Sequence, residues 1–137
     1  MLFRSKRLDA SLAIIDKRRD KPGAAVAMNL IGDVKDRDAV VIDDMIDTAG
    51  TLVQAVGAIQ REGARRILAC GIHPVLSGPA IDRLKASPIE EVVVTNSIPL
   101  SPEKRAAGRV TVLTVAPLLG EAIRRIHNEE SVSTLFV

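Results

Sequence analysis

Short apolar runs alternate with amphipathic stretches along this chain. Leu12 to Ile15 is an apolar strand segment, followed by a polar, basic loop from Lys17 to Gly23. Val26 to Ile31 reads as a second strand, with helix as the alternative, and Gly32 to Arg37 as a turn. Ala39 to Asp43 is apolar and β-branched, the pattern of a strand buried on both faces of a parallel sheet. Thr51 to Glu62 places Leu52, Ala55, Val56 and Ile59 at helical spacing, and Gly63 supplies a stop. Arg66 to Ile72 predicts a strand, Ser77 the cap of a helix running to about Lys85, Glu91 to Thr95 a strand, and Val110 to Val115 the last strand. Pro117 opens a final helix with Leu118, Leu119, Ala122, Ile123 and Ile126 on one face. Strands alternating with helices predict an α/β fold, a mainly parallel open sheet flanked by helices. A doubly wound domain normally brings a helix before its first strand, and only Phe3 to Asp9 is available here. The chain therefore reads as one domain over residues 1–137, cut at its beginning.

Composition narrows the function classes. A chain of 137 residues, 47% of them hydrophobic, suffices for one core. The net charge of +2 is too small to suggest nucleic acid as a partner. Phe3 and Phe136 are the only aromatic residues, too few for base-stacking platforms. No apolar run approaches the length of a membrane span, and the charged start is unlike a signal peptide. Cys70 has no partner for an internal disulfide, which points to a reducing, cytoplasmic compartment.

The candidate chemistry sits in Val40 to Thr51. A buried strand ends in Asp43 and Asp44, and a loop of small, hydroxyl-bearing residues leads into a helix. Ligands of open parallel sheets bind at the carboxyl ends of strands. Backbone N–H groups of such a loop can wrap a phosphate, and the helix N-terminus favours an anion. Gly50 lets backbone approach a ligand closely, while Thr48 and Thr51 add hydroxyls. The carboxylates can accept hydrogen bonds from sugar hydroxyls, so the whole suits a phosphorylated sugar. The plain alternative is an Asp-rich turn with an ordinary helix cap. The run lacks both the Gly-Lys-Ser/Thr of a P-loop and the glycine fingerprint of dinucleotide sites. His73 and His127 have no metal-ligand spacing around them. His73 lines the pocket or makes a structural hydrogen bond, His127 lies on the surface of the last helix, and Cys70 is a small core residue.

The stretch Asp43-Asp44-Met45-Ile46-Asp47-Thr48-Ala49-Gly50-Thr51 resembles the phosphoribosyl diphosphate motif of type I phosphoribosyltransferase folds. Within them it is similar to ribose-phosphate diphosphokinases. Ile14 to Arg19, Cys70 to Ala80 and the tail Ser131 to Phe136 agree with that family in the same order. The resemblance matches only the C-terminal half of such enzymes. It implies a phosphoribosyltransferase-like fold and transfer of diphosphate from ATP to ribose 5-phosphate with magnesium. It also implies that Asp47, Thr48, Ala49, Gly50 and Thr51 hold the 5-phosphate, and that Asp43, with Asp44 beside it, binds the ribose hydroxyls. Asp47 has the wrong sign to touch a phosphate through its side chain, so it either fixes the loop and contributes its N–H or serves as a proton acceptor.

By the same resemblance Lys17 and Arg19 act on the transition state from a flexible loop, and Arg19 also touches substrate. Residues 17 to 24 are accordingly expected to be mobile without ligand. ATP contacts and magnesium ligands are expected mainly outside this chain, the complete enzyme as a homo-oligomer, and the isolated chain as inactive. The tail is expected either to be disordered or to serve subunit contacts and a regulatory nucleotide site. A phosphoribosyltransferase would need a base-binding hood, for which the sequence offers no insertion. A non-catalytic regulatory relative would be expected to lack Lys17 or the acid pair, and both are present.

Overall fold

The computed structural model describes residues 6, 8–18, 27–106 and 109–136, with backbone only at 17, 18, 27 and 28. Strands β1 (Ile14–Arg18) and β2 (Ala27–Ile31) form an antiparallel ribbon of their own. The expected first strand of the parallel sheet is therefore half of a hairpin. Only residues 19–26 separate β1 from β2, short of the dozen or so that a parallel crossover takes. The ladder pairs Lys17 with Met28 and Arg18 with Ala27. This places Lys17 and Arg18 in a strand rather than in the expected loop.

The main sheet has four parallel strands in chain order: β3 (Asp38–Ile46), β4 (Arg66–Pro74), β5 (Glu91–Thr95) and β6 (Val110–Leu113). Helix α1 (Gly50–Arg61) connects β3 to β4, and α2 (Ala80–Ala86) connects β4 to β5. Both lie on the face of Ile67, Ala69, Val92 and Val94, where Leu52, Val56, Ile59, Ala80 and Leu84 close the core. The alternation is visible along β4: Ile67, Ala69 and Gly71 are buried, while Leu68 and Cys70 are half-buried on the opposite face. A parallel sheet is normally covered on both sides. Here the second face, with Val40, Ile42, Leu68, Cys70, Ile72 and Val93, has no fully buried residue. The ribbon leans on the core through Ala13, Ile15 and Leu30, with β2 against α1.

Strand β3 runs past Asp43, where the sequence suggested its end, to Ile46. Asp43 pairs with Gly71, Met45 with His73 and Ile46 with Pro74. Gly71 explains the extension. A Cβ there would lie 2.7 Å from the Ile46 side chain, so its absence lets the almost fully buried Ile46 seat against β4. A short helix α3 (Pro102–Ala106) precedes β6. Helix α4 (Ala116–His127), with Pro117 in its first turn, follows β6 and is succeeded by a 3-10 turn (Ser133–Phe136). The tail is ordered by ion pairs and hydrogen bonds. Arg124 bridges Glu121 and Glu130, and Arg125 donates to the Ser131 carbonyl at 3.1 Å and to the Thr134 hydroxyl. No described helix is long and apolar enough to cross a membrane.

Candidate functional site

The carboxyl edge of the sheet is laced from one loop to the next. Between the β3 and β4 loops, Leu76 N–H donates to the Ile46 carbonyl at 2.9 Å and Ser77 N–H to the Asp47 carbonyl at 3.1 Å. The Ser77 hydroxyl also donates to Asp47 Oδ1. Between β4 and β5, His73 Nδ1 meets Ser97 Oγ at 2.9 Å, and the Ser97 and Thr95 hydroxyls both donate to the Ile72 carbonyl. Between β5 and β6, Asn96 donates to the Thr114 hydroxyl and accepts from Val115 N–H. Lys104, from α3, donates to the Val75 carbonyl at 3.3 Å.

Within this edge the turn Asp47–Ala49 has one side fully engaged. Ile46 and Asp47 carbonyls accept from the β4 loop. The Thr48 carbonyl accepts from Arg83 Nη1 at 2.9 Å, and the Ala49 carbonyl from Val53 N–H at 3.0 Å. Among the described residues, the N–H groups of Thr48 and Ala49 donate to no protein acceptor. Ala49, at the N-cap position of α1, is left-handed at φ 58, ψ 7 and has no side-chain cap bond. A left-handed residue leading into a right-handed helix turns successive N–H groups toward one concavity. The arrangement can receive an anion, and the start of α1 favours negative charge.

The structure brings Asp43, Asp44, Asp47, Thr48, Ala49, Gly50 and Thr51 together at the end of β3 and the start of α1. Asp43 is half-buried, and its Oδ1 accepts from Asp44 N–H at 2.9 Å, while Asp44 is exposed. Asp47 holds Ser77, consistent with a loop-fixing side chain. Lys17 stands in the separate ribbon, and Arg19 lies outside the described residues. The expected mobility of residues 17 to 24 also falls, beyond the β1 backbone, outside them. His73 makes the structural hydrogen bond that was one of its two readings, and His127 is exposed. Cys70 is only half-buried, and that burial, with Glu91 nearby, pushes its thiol above the usual range.

Two residues at this site were not legible as such. Ser77 is not the helix cap, because Pro79 occupies the N-cap position of α2 and the Ser77 hydroxyl serves Asp47 instead. A serine before a helix gives the same sequence signal in either case. Arg83 reaches the loop from α2, across a separation in sequence that leaves no local pattern. It also changes the reading of Gly50. A Cβ at Gly50 would first meet Arg83 Nη1, at 3.2 Å, so the glycine makes room for a guanidinium of the protein itself.

A parallel α/β sheet with such a turn at its carboxyl edge follows the plan of open-sheet proteins that take ligands just outside their strand ends. The chain belongs to the phosphoribosyl synthetase-associated domain family, which it matches over residues 5–137. It is 58% identical to a ribose-phosphate pyrophosphokinase of Caldanaerobacter subterraneus subsp. tengcongensis over 132 residues, covering 96% of this chain and 42% of that one. A ribose-phosphate pyrophosphokinase of Corynebacterium ammoniagenes is 55% identical over 130 residues, covering 95% of this chain and 41% of the relative. Among solved structures, phosphoribosylpyrophosphate synthetase from Mycobacterium smegmatis superposes with a TM-score of 0.82 at 36% identity, covering 93% of this chain and 42% of that one. The chain thus spans about two fifths of the length of the curated relatives it matches.

Proposed function

We propose that this chain forms the ribose 5-phosphate half-site of a ribose-phosphate diphosphokinase. The observation that carries the reading is the turn at residues 46–49. Its four consecutive carbonyls are occupied by protein donors, while the Thr48 and Ala49 N–H groups donate to no acceptor among the described residues. In this reading the N–H groups of residues 47–51 and the Thr48 and Thr51 hydroxyls hold the 5-phosphate. Asp43 and Asp44 accept from the ribose hydroxyls. In the reaction, the anomeric hydroxyl oxygen of the sugar attacks the β-phosphorus of ATP. The new O–P bond forms as the bond to the bridging oxygen breaks; AMP leaves with that electron pair, and the hydroxyl proton is lost. Lys17 and Arg19 neutralise charge that develops on the transferring group, where cationic donors lower the barrier.

Magnesium, when bound, would neutralise charge on the ATP phosphates. Among the described residues no three His, Cys, Asp or Glu side chains cluster as a metal cage. Magnesium needs only one or two protein carboxylates when phosphates and waters complete its shell. The residues here therefore fit only a partial role, with Asp43 or Asp44 beside a bound diphosphate. Because the chain spans two fifths of its relatives, we assign the nucleotide half-site mainly to sequence outside it, and the full-length enzyme is expected to be a homo-oligomer. Its single cysteine supports a reducing, cytoplasmic setting.

Calorimetric titration of the 137-residue chain with ribose 5-phosphate tests the reading. Weak saturable binding, competed by inorganic phosphate, is expected, with no AMP formed when ATP and magnesium are added. Absence of any sugar-phosphate binding would overturn the assignment of the loop. Turnover by the chain alone would overturn the half-site assignment.

A further inference from the structure

We propose that Arg83 is a positioning residue for the anion-binding turn, holding the peptide between Thr48 and Ala49 so that the Ala49 N–H faces the ligand. The inference rests on the reading of the turn given above and adds a residue to it. Arg83 Nη1 donates to the Thr48 carbonyl at 2.9 Å. That carbonyl and the Ala49 N–H are opposite ends of one trans peptide. Anchoring the oxygen therefore fixes the direction of the N–H, and a cationic donor on the oxygen polarises the peptide toward a stronger N–H donor.

Ala49 needs such an anchor. Its left-handed φ of 58 is unfavourable for a residue with a Cβ, and conformations of this kind persist where surrounding contacts fix them. Leu76 N–H fixes residue 46, and the Ser77 contacts fix residue 47, from one side. Arg83 supplies the next hold, at residue 48. Ser77 and Arg83 belong to the single stretch that enters α2, since the Ser77 carbonyl accepts from Ala80 N–H at 3.1 Å and the Pro79 carbonyl from Arg83 N–H at 3.0 Å. Turn and helix α2 are thus clamped at two successive points. Gly50 completes the arrangement, because a side chain there would stand 3.2 Å from Nη1 and 3.8 Å from Cζ of Arg83. Among the described residues, Arg83 forms no ion pair that would compete for its guanidinium. Its charge lies behind the peptide rather than on the N–H side, so it orients the turn without occupying the ligand's place.

The test uses the whole 137-residue chain, labelled with nitrogen-15. Ribose 5-phosphate is titrated into wild type, Arg83→Met and Arg83→Lys while amide shifts, hydrogen exchange and the thermal midpoint are followed. Arg83 is exposed on α2, so neither variant should disturb the core. Arg83→Met is expected to weaken binding by about tenfold, to shift the Ala49 and Gly50 amides before ligand is added, and to speed their exchange. Its thermal midpoint should stay near that of wild type, and Arg83→Lys should recover most of the affinity by restoring a charged donor. No binding by wild type would defeat the loop reading itself. Normal wild-type binding with equal affinity in Arg83→Met and an unmoved Ala49 amide would leave that reading standing and overturn the role of Arg83. A collapse of the whole amide spectrum in Arg83→Met would make the residue structural and overturn the proposal as well.

Discussion

At the scale of single residues, Gly71 shows how close approach is arranged. Gly71 leaves the notch that Ile46 fills. Gly71→Ala should overpack that contact, costing about 1–3 kcal/mol of unfolding free energy in a denaturant titration. An unchanged midpoint would show that Ile46 moves aside freely. The Ser77 hydroxyl and Asp47 Oδ1 form a second checkable contact. Ser77→Ala and Asp47→Ala should each destabilise, and their double-mutant cycle should return a coupling of about 0.5–1.5 kcal/mol. Strict additivity would remove the contact from the account of the turn. These residues also mark the limit of reading from sequence. Asp43 to Thr51 stand out locally because strand, acids, small residues and helix follow one another without interruption. Ser77 and Arg83 act on that stretch from the far side of β4, and nothing in their own neighbourhoods records the partner.

Among the elements, α1 was legible because Leu52, Ala55, Val56 and Ile59 repeat at helical spacing, and all four are buried. Strand β5 falls at Glu91–Thr95 as its Val-rich run predicts. Helix α3, Pro-Glu-Lys-Arg-Ala, has no apolar period and buries nothing, so periodicity was blind to it. The ribbon was misplaced because periodicity identifies a strand without naming its partner. Helix α4 and the tail depend on charge. Hydrogen bonds from Arg124, then from Arg125, hold the Glu121 carboxyl down to about 2 from an ordinary 4.5. A carboxylate with a lowered folded value contributes its stabilisation above the unfolded value and loses it as pH falls through the folded one. The clamp should therefore be intact above about pH 4.5 and dissolve toward pH 2. Carbon-13 titration of the Glu121 carboxyl, with amide exchange of Thr134 and Leu135, checks this. Because these side chains are at the surface, added salt should weaken the clamp. A Glu121 midpoint near 4.5 would show that the ion pairs do not persist in solution.

For the whole molecule, the distribution of apolar surface is the main physical fact. One sheet face is closed by α1 and α2, and the other is not. Leu118, Leu119, Ile123 and Ile126 on α4 are more than half exposed. Contiguous apolar surface of this kind attracts hydrophobic ligands. The chain should bind the dye ANS in native buffer, and the Ile123→Glu, Ile126→Glu double variant should lose much of that fluorescence with little change in stability. Equal fluorescence in the variant would move the dye site elsewhere, to the open sheet face. The strand order has a further consequence. In the parallel sheet every strand pairs with its successor in the chain, so no strand waits for a distant partner. Growth from β3 toward β6 follows the direction of synthesis. A polypeptide leaving the ribosome can therefore dock β4 on β3 while β6 is still being made, and the turn at residues 46–49 is tied down by the β4 loop and α2 before the last strand emerges.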